Sequence, residues 1–167
     1  RDVFEIWREF DEVSVGASLD ASYARGELMR KGTQWIKTMA NRERMLQVCP
    51  DVDFYISSTL SIMNSFHIPE FHKEWIELGF LEPMDWNINI LQSPEYFRLD
   101  VLPEDMKQQV LDIYTEHIDW LEDKDRFKRA INGFKSAMNF MTSTDNSGYI
   151  PELLAQLDKL DKLRNED

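Results

Sequence analysis

The sequence predicts an α/β fold, with about three to four parallel strands and crossover helices, followed by an α-helical tail. Up to Pro103, short stretches with strand patterns are separated by stretches with helical spacing, as expected for a parallel sheet. Beyond Pro103, every periodic stretch has helical spacing. We therefore divide the chain into an α/β part, residues 1–102, and a helical C-terminal extension, residues 103–167, which is expected to pack on it.

Three segments have the pattern of β-strands. In residues 12–20, small or apolar side chains alternate with polar ones, which is the period of a strand. Residues 52–63 are rich in β-branched and aromatic side chains, and residues 85–91 form a third such segment. Residues 96–101 are predicted as a further extended piece. We expect the first three segments to be parallel neighbours in chain order, with one sheet edge left open.

The helices are predicted from apolar spacing and from their first residues. A helix over residues 33–48 has Thr33 as a candidate N-cap, and a short helix runs from Pro69 to Gly79, a natural terminating glycine. Proline followed by a glutamate marks three helix starts, at residues 69, 103 and 151. The apolar stripes of the tail helices are Met106/Val110/Ile113/Tyr114/His117/Leu121, Phe127/Ala130/Ile131/Phe134/Met138/Met141 and Leu153/Leu157/Leu160/Leu163.

Composition excludes several classes of protein. Hydrophobic residues make up 43% of the chain, yet no apolar run approaches the roughly 20 residues that cross a bilayer. The net charge of −12 argues against a broad nucleic-acid surface, although Arg25, Arg30 and Lys31 form a local basic cluster. Cys49 is the single cysteine, so the chain can form neither an internal disulfide nor a cysteine-based metal site. These features favour a cytoplasmic protein that does not bind membranes.

One side of the predicted strands is polar, and this is the main sign of a binding site. The side chains concerned are Ser14, Ser18, Asp20, Ser57, Thr59, Ser61, Asn87 and Asn89. Two interpretations are open: a cavity that holds a ligand, or a sheet with one face in water. Ligands of parallel α/β sheets bind at the carboxyl ends of the strands, where several of these residues lie.

The histidines do not have the spacing of metal ligands. His67 and His72 are five residues apart, so a helix does not direct both at one ion, and His117 belongs to an apolar stripe. No dinucleotide-binding glycine motif, phosphate-binding loop or nucleophile elbow is present. We therefore predict no metal site within this chain.

Two segments carry a resemblance to a known family. Residues 13–21 (VSVGASLDA) followed by 27–33 (ELMRKGT) resemble the fourth strand and the following loop of radical S-adenosylmethionine (SAM) enzymes. Residues 59–64 (TLSIMN) are similar to the end of the fifth strand in that family. Residues 68–75 and the block 87–103 look like the subgroup with an N-terminal twitch subdomain. The family's cluster motif, CxxxCxxC, is absent from this chain.

The resemblance implies a specific fold and chemistry. Residues 1–102 would be the C-terminal half of a partial (βα)6 barrel, and the missing N-terminal part of the same protein would carry the cysteines. The complete protein would use SAM and a [4Fe–4S] cluster to generate a 5′-deoxyadenosyl radical, which abstracts hydrogen from an unknown substrate. This segment would supply part of the cavity for SAM and substrate, and would be inactive alone.

The resemblance also suggests individual roles. Ser18 would contact the ribose, and Asp20 would either do the same or orient the loop. Arg30 would contact the SAM carboxylate, and Thr59 and Asn64 other SAM atoms. Ser57, Asn87 and Asn89 would line the substrate cavity. The alternative is a non-catalytic α/β binding or scaffold module that uses its leucine-bearing tail as a docking helix.

Overall fold

The computed structural model describes residues 2–164. Within this range the strands are β1 (Ser14–Ala17), β2 (Asp53–Leu60) and β3 (Trp86–Ile90). The helices in the same range are α1 (Val3–Trp7), α2 (Tyr23–Met29), α3 (Trp35–Val48), α4 (Ile68–Glu77), α5 (Glu104–Leu121), α6 (Arg129–Ser143) and α7 (Ile150–Arg164). No helix in this range is both long enough and apolar enough to cross a membrane.

The three strands form one parallel sheet in the order β1-β2-β3. Gly16 pairs with Tyr55 in the first ladder, and Thr59 pairs with Asn89 in the second. This confirms the predicted α/β class with three parallel strands, and the helical tail from α5 onward is confirmed as well. Closure of these strands into part of a barrel stays a prediction.

Alternation along the strands separates a packed face from an open face. Phe54, Ile56, Ser58 and Leu60 of β2 are buried, whereas the alternate residues Tyr55, Ser57 and Thr59 are only partly covered. On β3, Asn87 and Asn89 are exposed. The predicted polar side of the sheet is therefore the side that the helices of residues 2–164 leave uncovered.

The packed face carries an aromatic core. Phe71 and Trp75 of α4 lie against the sheet, with the Trp75 ring stacked on Phe54 at 6.3 Å between centroids and the Phe71 ring edge-on to Trp86 at 4.9 Å. These rings are each at least nine-tenths buried. Such large side chains contribute most of the apolar area that leaves water on folding, so α4 is fixed on the sheet.

The helical tail extends this core. Tyr114 of α5 and Phe134 of α6 are fully buried with ring centroids 5.1 Å apart. The buried carboxylate of Asp125 accepts bonds from the backbone N–H groups of Arg129 and Ile131, at 3.2 and 3.0 Å. These bonds satisfy donors that would otherwise be unpaired at the start of α6.

Several predicted details are wrong. Met106 and Phe127 were expected in the buried stripes, but they are 42% and 56% exposed, and Phe127 precedes α6 rather than belonging to it. Residues 96–101 form 3-10 turns instead of an extended piece. Gln34 rather than Thr33 flanks the start of α3, and its side chain makes no capping bond.

The structure adds α2, which the sequence did not predict. This helix lies in the connection after β1, and its backbone passes very close to the preceding loop. A Cβ atom on Gly26 would lie 2.5 Å from the Ala21 carbonyl oxygen, so only glycine allows this approach. Gly79, by contrast, was predicted to end α4 and has the left-handed φ of +70° typical of that position.

Candidate functional site

Four of the five predicted cofactor-binding residues meet at the carboxyl ends of β1 and β2. Asp20 follows β1, Arg30 follows α2, Thr59 is near the end of β2, and Asn64 lies in the turn beyond it. A connected set of hydrogen bonds joins them. We call this set the Asp20 network.

The Asp20 carboxylate is the centre of the network. Its Oδ2 accepts a bond from Arg30 Nε at 2.7 Å, and its Oδ1 accepts bonds from Arg30 Nη2 at 3.2 Å and from the backbone N–H of Thr59 at 2.7 Å. Asp20 is 6% exposed, and its charge is balanced by a bidentate guanidinium. The carboxylate thus fixes the loop after β1 to β2.

Asn64 joins the same loops through its side-chain amide. Its Nδ2 donates to the carbonyl oxygens of Asp20 and Thr59 at 2.8 and 3.0 Å, while its Oδ1 accepts the backbone N–H of Ser61 at 2.9 Å. Asn64 is 1% exposed. Every polar atom of this amide therefore serves the backbone, and a ligand would meet the loop surface rather than Asn64 itself.

A cavity of about 410 Å³ adjoins the network. Asp20, Thr59 and residues that follow β2 and β3 line it. Leu157 and Leu160 of α7 also line it, together with Arg164, whose Nη1 donates to the Leu28 carbonyl oxygen at 2.8 Å. The volume lies in the usual range for small-molecule sites, about 300–1,000 Å³.

The predicted substrate-cavity residues lie on the open face of the sheet. Asn89 donates through Nδ2 to the Ser57 hydroxyl at 2.9 Å, which links the two strands side by side. Asn87 and Asn89 are exposed and Ser57 is half-buried. None of the three is among the residues that line the 410 Å³ cavity, but Thr59, on the same face of β2 as Ser57, does line it, so the cavity adjoins the open face.

Ser18 and Arg30 also lie outside the cavity wall. Ser18 is exposed just beyond β1. Arg30 has Nε and Nη2 committed to Asp20, so Nη1 is the guanidinium nitrogen left to meet a ligand. Ser18, Arg30 and the open face together present polar groups, whereas the cavity presents mostly apolar ones.

The two histidines of the core form a pair that the sequence did not reveal. His72 Nδ1 and His117 Nε2 are 3.0 Å apart, with His72 completely buried. Burial first, and then the nearby Lys73, lowers the pKa of His117 to about 4. Burial, reinforced by the His117 neighbour, also lowers the pKa of His72 well below its ordinary value. Both rings are therefore neutral at physiological pH, and one donates to the other.

The described residues offer no place for a metal ion. Residues 2–164 contain no group of three or more His, Cys, Asp or Glu side chains that could bind one. Cys49 is buried at the end of α3, and desolvation raises the pKa of its thiol. A protonated, solitary thiol does not fit the requirement of an iron–sulfur cluster for several thiolates.

Sequence reasoning missed the contribution of α7 to the site. Leu157 and Leu160 were identified only as part of an apolar stripe, and Asp161 and Arg164 were not singled out. The spacing of the leucines does indicate a buried side of the helix, but it does not say what that side covers. That α7 lines one cavity with the segments after β2 and β3 is a tertiary feature.

Comparisons with protein-family models, with curated proteins and with solved structures give no significant match to this chain.

Proposed function

We propose that this chain forms one side of the SAM and substrate cavity of a radical SAM enzyme. The observation that carries the proposal is the Asp20 network. Asp20, Arg30, Thr59 and Asn64, selected from the sequence by resemblance, are joined by hydrogen bonds at one edge of a parallel sheet. That edge is where parallel α/β sheets bind their ligands.

The open face of the sheet supports the same proposal. Its polar side chains, including Ser57 and Asn89, are not covered by the helices of residues 2–164, as expected for the inner surface of an incomplete barrel. In such a barrel the helices lie outside and the ligand lies inside. A sheet face in contact with water would give the same alternation of side chains. The two alternatives are therefore distinguished by whether the protein acts on SAM.

The residues present fit SAM in part and do not fit the cluster. Ser18 and the free Nη1 of Arg30 can donate to ribose and carboxylate oxygens, and the Asp20 network holds the loop that carries them. When bound and reduced, the cluster and SAM supply the radical chemistry. Because Cys49 is the single cysteine, the cluster thiolates must come from outside this chain.

Deoxyadenosine formation tests the proposal. The longest polypeptide of the same gene that contains this chain is purified without oxygen, reconstituted with iron and sulfide, and reduced in the presence of SAM. We expect cluster absorbance and 5′-deoxyadenosine, detected by chromatography. The 167-residue chain alone should give neither, because it lacks the thiolates.

Matched variants connect the activity to the site. Asp20→Asn should lower the deoxyadenosine yield about tenfold or more, since it removes the charge that holds Arg30 in place. Asp112→Asn, the same change at an exposed position of α5, should leave the yield unchanged. A polypeptide that forms the cluster but gives no deoxyadenosine would contradict the proposal.

One observation favours the scaffold alternative. Leu154 and Leu163 of α7 are 56% and 81% exposed, which suits a helix that docks on a partner. Inactivity of the reconstituted polypeptide, combined with a partner whose binding is lost in Leu163→Asp, would favour this function over the enzyme.

A further inference from the structure

The cavity beneath α7 differs in chemistry from the polar surfaces around it. Its walls are mostly apolar, and the side chains that matter most are Met29, Met63, Leu91, Phe97, Leu157 and Leu160. These residues come from α2, from the segments after β2 and β3, and from α7. The cavity is therefore assembled from four parts of the chain rather than being a gap beside one helix.

The polar groups that the loops after β1 and β2 present to the cavity are largely occupied by internal hydrogen bonds. Both oxygens of Asp20 accept bonds from Arg30, and one also accepts from Thr59 N–H. The Ser61 hydroxyl accepts from the Met63 N–H at 3.3 Å and lies 3.4 Å from Asn64 Oδ1. Two charged side chains of α7, Asp161 and Arg164, also line the cavity, and Arg164 Nη1 donates to the Leu28 carbonyl oxygen at 2.8 Å.

The mostly apolar lining decides which class of ligand fits the cavity. SAM carries a carboxylate, an ammonium and a sulfonium. Asp161 and Arg164 could pair with no more than two of these charges, and moving a charge into an apolar site without a partner is strongly unfavourable. An uncharged apolar molecule gains free energy from the same walls. Thr59 also lines the cavity, and its hydroxyl provides one hydrogen-bonding group that can orient such a molecule.

We infer that the cavity beneath α7 binds an uncharged, mostly apolar small molecule, and that this molecule is the substrate class of the proposed enzyme. The name "substrate" rests on the proposed function, whereas the apolar binding does not. The two methionines suit a range of shapes, because their side chains are unbranched and flexible. SAM would then lie outside the cavity, toward Ser18 and the open face.

Titration with N-phenyl-1-naphthylamine, an uncharged fluorophore that brightens in apolar surroundings, tests the inference. The chain should bind it saturably with one site, and excess SAM should not displace it. Leu160→Asp puts a carboxylate in the cavity wall and should weaken binding about tenfold or more. Leu154→Asp is the matched control on the exposed side of α7 and should change binding by no more than about twofold.

A second variant separates cavity loss from helix loss. Leu160→Trp keeps α7 apolar but fills the cavity, so it should weaken binding while far-UV circular dichroism stays unchanged. Non-saturable binding, displacement by SAM, or equal weakening by Leu154→Asp would overturn the inference.

The deoxyadenosine assay separates this inference from the proposed function. Saturable fluorophore binding without deoxyadenosine would uphold the apolar site and overturn its assignment to a substrate. Deoxyadenosine formation without fluorophore binding would overturn the apolar site and leave the enzyme function standing.

Discussion

The buried His72–His117 pair should make the fold sensitive to mild acid. Each ring has a folded-state pKa below its ordinary value, so the unfolded chain binds protons that the folded chain cannot. Stability is therefore fully present above about pH 6.5 and falls as the pH drops toward the folded pKa, which is about 4 for His117. Protonation of both rings would also remove the acceptor of the bond between them.

The magnitude follows from the ordinary histidine pKa, because the folded-state pKa of each ring lies below it. At pH 5.5, one unit below that ordinary value, keeping a ring neutral costs on the order of 1 kcal/mol, so the pair lowers the free energy of unfolding by about 2–3 kcal/mol relative to pH 7.5. This window lies above the range in which ordinary carboxylates titrate. A loss of that size is a large fraction of the stability of a typical domain, about 5–15 kcal/mol.

Urea unfolding at pH 7.5 and pH 5.5 measures the effect. His117→Gln should reduce the drop to about half, since one titrating ring remains. His67→Gln is the control, because His67 is half-buried outside the pair and its replacement should preserve most of the drop. Unfolding free energies that agree within about 0.5 kcal/mol at the two pH values would refute the reasoning.

Two further predictions concern packing. Phe134→Ala should lower the unfolding free energy by about 3–5 kcal/mol, because the ring is fully buried against Tyr114, whereas Phe127→Ala should cost under about 0.5 kcal/mol. Equal losses in the two urea titrations would show that the burial of Phe134 is not the cause. Gly26→Ala should cost about 1–3 kcal/mol despite a higher helix propensity, since the new methyl group would meet the Ala21 carbonyl oxygen. A melting temperature equal to or above that of the wild type would contradict this.

The sheet was predictable because its pattern is local. Residues 52–63 carry β-branched and aromatic side chains with one buried face, and β2 occupies Asp53–Leu60 of that range. The predicted strand continued too far because Asn64 turns the chain, with its side chain accepting the Ser61 N–H. Likewise, β1 ends at Ala17 rather than at Asp20. In both cases a side chain that bonds to the backbone of the loops limits the strand.

In the helical tail, the local sequence pattern predicts the helices but not which of their side chains are buried. Helical spacing identified α5 and α6, but it wrongly assigned Met106 and Phe127 to buried stripes. The spacing of apolar residues does not indicate where a helix starts or whether another element covers a given side chain. The His72–His117 pair joins α4 to α5 across 45 positions, so no sequence spacing reveals it. The cavity depends on α7 meeting the segments after β2 and β3, which is likewise a non-local feature.

The final prediction concerns the pairing at the centre of the site. Arg30 holds a carboxylate that is 6% exposed, so Arg30→Ala would leave Asp20 buried with only the Thr59 N–H as partner. Because the Arg30 side chain is itself 36% exposed, water can replace part of the guanidinium, and the expected loss is about 1.5–3 kcal/mol rather than that of a fully buried pair.

Urea unfolding and hydrogen exchange at the Thr59 amide together measure this loss. The Thr59 amide should exchange faster in Arg30→Ala, because the carboxylate that accepts its bond becomes free to turn toward water. Arg25→Ala is the matched control: its guanidinium lies 3.9 Å from the exposed Glu70 carboxylate, and such pairs contribute about 0–1 kcal/mol. If both variants lose the same stability and Thr59 exchange is unchanged, the Asp20 network does not organise the loop. The proposal that this network positions Ser18 and Arg30 for contact with SAM would then lose its structural support.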